Sequence, residues 1–214
     1  MAKKRVSLTL DKKLVDRIDA ESERRDLNRS RTVERIIDKY FSGRGLDTAV
    51  IFCGGSDQDA LRIHDGKPVL SHILDHLEEE GFQRAILLIG RNRQIKQDFG
   101  SDYHGVALEY VEEEKPAGTA AALRKIADRV DNEFAVLNGH VIADVDFDDM
   151  LRLHRDENVQ ATMALTSVED PSSYGVARLK GNTILGFVEK PEEGEEPSRL
   201  INAGSYILDP RIFD

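Results

Sequence analysis

The stretch that decides the fold is Thr48–Pro68, TAVIFCGGSDQDALRIHDGKP. Its first six residues, Thr48 to Cys53, form a short apolar run rich in β-branched side chains, bounded by Gly54-Gly55. Such a run reads as a buried strand opening into a loop, with His64 to Pro68 leading into the next helix. A strand, a glycine turn and a helix is how open α/β sheets build nucleotide sites. Glycine lets main-chain N–H groups approach phosphate with no Cβ in the way. An ordinary βα turn has the same short signature, so the motifs that follow carry the decision.

Toward the C-terminus, Pro116-Ala117-Gly118-Thr119-Ala120 precedes a helix, and Asn138-Gly139-His140-Val141 follows the strand Phe134–Leu137. Beyond them stand Tyr174-Gly175-Val176, Gly186-Phe187-Val188-Glu189-Lys190-Pro191 and Ile201-Asn202-Ala203-Gly204. In this order, over about Asp47 to Asp214, the series resembles the sugar-phosphate nucleotidyltransferases. These join a sugar 1-phosphate to a nucleoside triphosphate and release pyrophosphate. The resemblance implies ligand-binding roles for Gly54 and Gly55 in the phosphate loop and for Lys67 on phosphate. It sets the Gly118-Thr119 turn against base and ribose, and Glu113 near where many relatives read the base with glutamine. It makes Glu189 and Lys190 sugar and phosphate contacts, Asn202 and Gly204 sugar contacts, and brings Gly175, Asn138, Gly139 and His140 to the same pocket.

The departures from that pattern aim at one chemical step. The family's opening loop reads Gly-Gly-x-Gly-Thr-Arg and continues to Pro-Lys-Pro. Here Ser56-Asp57-Gln58-Asp59 follows the glycines, so an acid stands where an arginine would stabilise the departing pyrophosphate. Lys67-Pro68 is retained. The family's Asn-Gly-Asp supplies a magnesium-binding aspartate, and His140 takes its place. Magnesium prefers hard oxygen ligands, so imidazole is a poor replacement. A structural histidine, a phosphate contact and a soft-metal ligand all stay open for His140. A second metal-binding aspartate falls beyond the matched stretch. The expectation is a pocket without its reaction: no catalytic residue and no resident cofactor, with magnesium required only if the enzyme alternative holds.

Composition bounds the rest. A chain of 214 residues, 40% hydrophobic, holds one ordinary domain plus a small one. No apolar run approaches the roughly 20 residues a bilayer demands, and Met1–Arg5 is not followed by a signal-like apolar block. The single cysteine, Cys53, rules out an internal disulfide and suits the cytoplasm. His64, His72, His76 and His154 show no trustworthy metal-ligand spacing. Charge is uneven. Residues 1–45 hold 13 Lys/Arg against 8 Asp/Glu, a net of +5, and the remainder holds 17 against 32, a net of −15, for −10 overall. An acidic body repels nucleic acid, whereas a basic head attracts it.

Upstream of the decisive stretch, Lys3 to Leu10 alternates, with Val6, Leu8 and Leu10 on one face and Arg5, Ser7 and Thr9 on the other. Asp11 caps a helix from Lys12 with a stripe of Leu14, Val15 and Ile18. Asn28 caps a second, where Val33, Ile36, Ile37, Tyr40 and Phe41 repeat at helical spacing. One strand and two helices in about 41 residues are too little to stand alone, and a lone strand is an open edge. Pairing two chains through their strands solves both problems. This segment looks like the ribbon-helix-helix family of DNA-binding proteins, whose two-stranded ribbon enters the major groove. The resemblance makes Arg5, Ser7 and Thr9 the reading face. Asn28, Arg29 and Ser30 become a phosphate clamp at a helix start, and Lys3 and Lys4 add backbone attraction. The alternative is a dimerisation clip with solvated charges.

The fold expected is thus α/β, a Rossmann-like, mostly parallel nucleotidyltransferase sheet with a small N-terminal ribbon-helix-helix domain. Residues 1–42 form that domain, 43–46 a linker and 47–214 the nucleotidyltransferase-like domain. The strands expected in the body are Thr48–Cys53, Ala85–Gly90, Ala107–Val111, Phe134–Leu137, Gln160–Val168, Gly175–Leu179, Ile184–Val188 and Ser205–Leu208. Its helices are Val69–Glu80, Gly118–Val130 and Phe147–Asn158. The function expected is a cytoplasmic homodimeric or larger DNA-binding regulator whose body senses a nucleotide, sugar phosphate or nucleotide sugar. The partners are operator DNA and that ligand, with no membrane. A working transferase carrying a dimerisation or DNA-binding appendage is the alternative, and a pocket that binds nothing is the third.

Overall fold

A computed structural model describes residues 6–24, 27–42, 45–54, 57–90, 93–113, 118–192 and 194–214. The chain divides into two units, Met1–Gly45 and Leu46–Asp214. Leu46 is buried in the core of the second.

In the first unit, helix α1 spans Lys12–Arg24 and α2 spans Arg29–Ser42. Both start where the sequence asks. The Asp11 carboxylate accepts from Lys13 N at 2.8 Å, and Asn28 Oδ1 accepts from Arg31 N at 3.0 Å, so each satisfies an amide the helix leaves open. Between the helices, Ile18, Ser22 and Thr32 are buried, with Ser22 Oγ 2.8 Å from Thr32 Oγ1. Of the strand expected over Lys3–Leu10, the described part, Val6–Leu10, joins no ladder. A strand needs a neighbour's N–H and C=O groups, and the described residues of this chain supply none here. Val6 and Leu8 are left 71% and 58% exposed, and Leu14, Ile36 and Ile37 are exposed too. Lys3, Lys4 and Arg5 lie outside the described residues.

In the second unit, β1 (Thr48–Cys53) is central. It is followed by α3 (Asp57–Leu61), the hairpin β2 (Ile63–His64) and β3 (Lys67–Pro68), and α4 (Val69–Glu80). Then come β4 (Arg84–Ile89), α5 (Gln94–Phe99), β5 (Asp102–Tyr103), β6 (Val106–Glu112), α6 (Thr119–Arg124) and β7 (Phe134–Asn138). The remainder is α7 (Phe147–Asp156), β8 (Ala161–Ser167), β9 (Gly175–Lys180), β10 (Thr183–Glu189) and β11 (Leu200–Leu208). One sheet runs β10-β9-β11-β7-β1-β4-β6-β5, with β8 also on β11. Strands β7, β1, β4 and β6 are parallel, and β11 runs antiparallel to β7.

The period-two alternation of these strands divides two cores. Ala49, Ile51 and Cys53 join Ala85, Leu87 and Ile89 under α4 and α7, where Leu70, Leu74, Leu77 and Phe147 are buried. Val50, Ile86 and Leu88 face the other way, onto Ala122, Ile126, Val130 and Phe134. Burial on both faces is why β1 and β4 read as unbroken apolar runs.

Three expectations are corrected. The helix expected over Gly118–Val130 is α6 followed by a 3₁₀ turn at Ala127–Arg129. Amides of Lys125 and Ile126 bond three residues back, to Ala122 and Leu123, and Ile126 is fully buried. The strand expected over Ser205–Leu208 begins at Leu200, because its pairing with β8 carries a bulge between Asn202 and Tyr206 with Gly204 at φ 74°. His64–Pro68 is a hairpin turning at Asp65-Gly66 before α4 begins. The remaining boundaries differ by one or two residues, as fraying ends do.

Candidate ligand-binding site

Ligands of open α/β sheets bind in the crevice outside the carboxyl ends of the parallel strands. Gly54 follows β1, Glu113 follows β6, and Asn138-Gly139-His140 closes β7. The register carries this line across the antiparallel strands. Phe52 pairs with Asn138, Ser205 with Leu137, Ile201 with Val176, and Glu189 with Gly175. Asn202, Gly204, Gly175 and Glu189 therefore lie along the same end of the sheet.

Close packing shapes that end. A Cβ at Gly139 would lie 2.7 Å from the Phe52 carbonyl oxygen and 3.0 Å from Cys53 Sγ. The glycine is what lets its N–H donate to Phe52 O at 2.9 Å. A Cβ at Gly204 would lie 3.0 Å from Asn138 Nδ2, and one at Gly175 would lie 3.0 Å from a Glu189 carboxylate oxygen, both tighter than ordinary contact. Asn202 is held by its own strand: Nδ2 donates to the Tyr206 hydroxyl at 2.5 Å and Oδ1 accepts from Gly204 N at 2.8 Å. Lys190, at φ 45°, donates its amide to Tyr174 O at 2.9 Å.

Charges at this end are paired. Glu113 is buried, and its Oε2 lies 3.0 Å from where a Gly54 Cβ would be. Its Oε1 has no hydrogen-bond partner, and Lys125 Nζ stands 3.7 Å away. Lys67 is not a free cation. Its ammonium is paired with Asp75 on α4, whose other oxygen accepts from the Tyr103 hydroxyl at 2.9 Å. Burial pushes the Asp75 carboxyl up, but the bonds from Lys67 and Tyr103 outweigh it and hold the group below the usual carboxylate range. The Asp75 bond correspondingly raises Lys67.

Gly118, Thr119 and His140 are exposed, Gly118 at φ 91°. Gly55 lies outside the described residues. Among the described residues no three His, Cys, Asp or Glu side chains come together to hold a metal ion. Sequence reasoning missed Lys125 and Tyr206. Tyr206 was legible in principle, four residues beyond Asn202 in one strand. Lys125, just past the end of α6, becomes a neighbour of Glu113 only in the folded chain.

In the head, Ser7, Thr9 and Ser30 are exposed, and Asn28 caps α2. Arg29 grips Asp19 of α1 with two bonds, Nε to Oδ1 and Nη2 to Oδ2, both 2.6 Å.

These two units match two family models. Residues 56–214 match the nucleotidyl transferase model and residues 4–41 the ribbon-helix-helix, copG family, model. The chain belongs to the nucleotidyl transferase family and carries a ribbon-helix-helix domain at its N-terminus. It is 36% identical over 155 residues to a mannose-1-phosphate guanylyltransferase catalytic subunit beta of Drosophila pseudoobscura pseudoobscura, covering 69% of this chain and 41% of that one. It is 31% identical over 153 residues to the UTP–glucose-1-phosphate uridylyltransferase AglF of Haloferax volcanii, covering 70% and 62%. The chain thus spans roughly two- to three-fifths of the length of these curated relatives. Among solved structures, HddC from Yersinia pseudotuberculosis superposes with a TM-score of 0.69 at 23% identity, covering 78% of this chain and 79% of that one. A putative glucose-1-phosphate thymidylyltransferase from Bacillus anthracis gives 0.68 at 24%, covering 78% and 72%. The body shares the fold of these structures.

Proposed function

We propose that this chain is a DNA-binding regulator whose nucleotidyltransferase domain binds a nucleotide, sugar phosphate or nucleotide sugar without transferring it. The carrying observation is the charge at the glycine turn. Lys67 is paired with Asp75, and Lys125 with the Glu113 carboxylate that stands against Gly54, so both ammonium groups already hold a carboxylate with which a triphosphate must compete. Asp59 on α3 and His140 after β7 remove two further charge-handling groups that the resemblance would supply. The His140 imidazole does not fit magnesium, which takes hard oxygen ligands.

The same carboxylate favours one base. A carboxylate only accepts hydrogen bonds, and Glu113 Oε1 is buried without a donor. Guanine presents two adjacent N–H donors on one edge, whereas uracil and thymine flank a single N–H with carbonyls. The body therefore prefers a guanine nucleotide. The head acts as a pair: Val6, Leu8, Leu14, Ile36 and Ile37 are the apolar surface a second copy would cover, and Arg5, Ser7 and Thr9 the face left for DNA.

The second reading is a working sugar-1-phosphate nucleotidyltransferase, favoured by the curated relatives at 31–36% identity. One assay separates the two. The protein is incubated with magnesium, each common triphosphate and a panel of sugar 1-phosphates, and pyrophosphate is measured beside thermal shifts with GDP and UDP. We expect a larger shift with GDP and no pyrophosphate. Sustained pyrophosphate release would establish the enzyme.

A further inference from the structure

We propose that Asp19 is an intramolecular stand-in for phosphate, a latch on Arg29 that DNA must displace; this rests on the DNA-binding reading above. Arg29 is the first residue of α2, directly after the Asn28 cap, where a helix start favours anions. The anion found there belongs to the protein. Asp19 comes from α1 and meets the guanidinium fork-on-fork, with both contacts at 2.6 Å. That is the geometry by which guanidinium also meets phosphate oxygens. The pair is reachable from solvent, with side chains 61% and 39% exposed. The bond to Arg29 holds the Asp19 carboxyl below its ordinary range, so it stays ionised.

An unoccupied arginine at a helix start attracts any phosphate backbone, specific or not. With Asp19 in the fork, a phosphate must replace one anion with another and leave the displaced carboxylate beside it. Weak, sequence-independent contacts fail that exchange. A site whose base contacts also pull the ribbon into register succeeds. Asp19 is thus a specificity device: it lowers affinity for every duplex, and for generic DNA most.

The test uses the full chain and a fluorescent 30-base-pair duplex of arbitrary sequence, titrated at several salt concentrations. Asp19→Asn should bind severalfold tighter than wild type, and the slope of log affinity against log salt should steepen by about 0.9, one added phosphate contact. Asp16→Asn, an equal charge change on an exposed residue of α1, should leave the slope unchanged. Arg29→Gln should leave the wild-type salt slope unchanged, because the latched arginine makes no contact with generic DNA, and adding Asp19→Asn to it should steepen nothing. Asp19→Ser repeats the measurement with a different side chain, and thermal melts of each variant verify folding. Wild-type binding with no gain and no steeper slope in either folded Asp19 variant overturns the latch alone. If neither wild type nor variants bind any duplex, the DNA-binding reading falls together with it.

Discussion

At Gly139 one hydrogen atom decides whether β1 and β7 can finish side by side. A methyl group there meets a backbone carbonyl at 2.7 Å, and backbone cannot swing aside as a flexible side chain could. Gly139→Ala should therefore destabilise the body by about 1–3 kcal/mol, read by urea unfolding. His154 makes the opposite kind of demand. It is buried against Thr162, its Nδ1 2.8 Å from that hydroxyl and its Nε2 without a partner, and burial lowers its pKa. The neighbouring carboxylates Glu133 and Asp209 pull it upward and Arg155 and Arg211 push it down, without reversing that direction. The unfolded chain then binds the proton more tightly than the folded one. The stability contributed by the neutral ring is present above about pH 6.5 and is lost as pH falls below it toward the folded value. Wild type should melt at lower urea at pH 5.5 than at pH 7.5, and His154→Leu should narrow that difference. The lowered carboxylates Asp75, Glu109 and Glu133 release their contribution only under more acid conditions, outside this comparison.

Among elements, β1 was legible residue for residue, because a strand buried on both faces is an uninterrupted apolar run with glycine at its end. Helix α4 was legible through its stripe and its Gly81 cap, at φ 83°. The five-residue α3 and the two-residue strands β2, β3 and β5 were not, since no periodicity fits in so few residues. Strand β11 was read short, from Ser205, because the irregularity between Asn202 and Tyr206, with Gly204 at φ 74°, interrupts its alternation. The site residues on strand ends were legible by motif, but the pairing of Lys67 with Asp75 was not. That pair joins a hairpin to a helix eight residues on, and no motif announces it. Helix α2 offers its own measurement. Asn28→Ala removes the bond to Arg31 N and should cost about 1 kcal/mol, seen as a lower melting temperature for the head. If the head folds as a pair, its melting should also rise with protein concentration.

For the whole molecule, the two readings make a joint prediction. A body ligand that regulates must favour one DNA-competent arrangement over another, with a coupling of about 1–3 kcal/mol, or roughly 5- to 150-fold in DNA affinity. Linkage requires DNA to change ligand affinity by the same factor. Titrating DNA with and without saturating GDP, and again with Lys190→Ala, measures it; unchanged affinity at saturation would leave two independent modules on one chain.

The body also contains its own clock. Cys53 is the one thiol in the sequence, and it ends the strand that lies between β4 and β7, beneath the α4 layer. A chromogenic disulfide reagent cannot reach that sulfur until the sheet and helix part. Labelling under native conditions therefore reports how often the centre opens, with no engineered probe. Because the sulfur sits immediately before Gly54, any molecule settling at that end of the sheet should slow the reaction, which turns a buried side chain into a screen for the ligand.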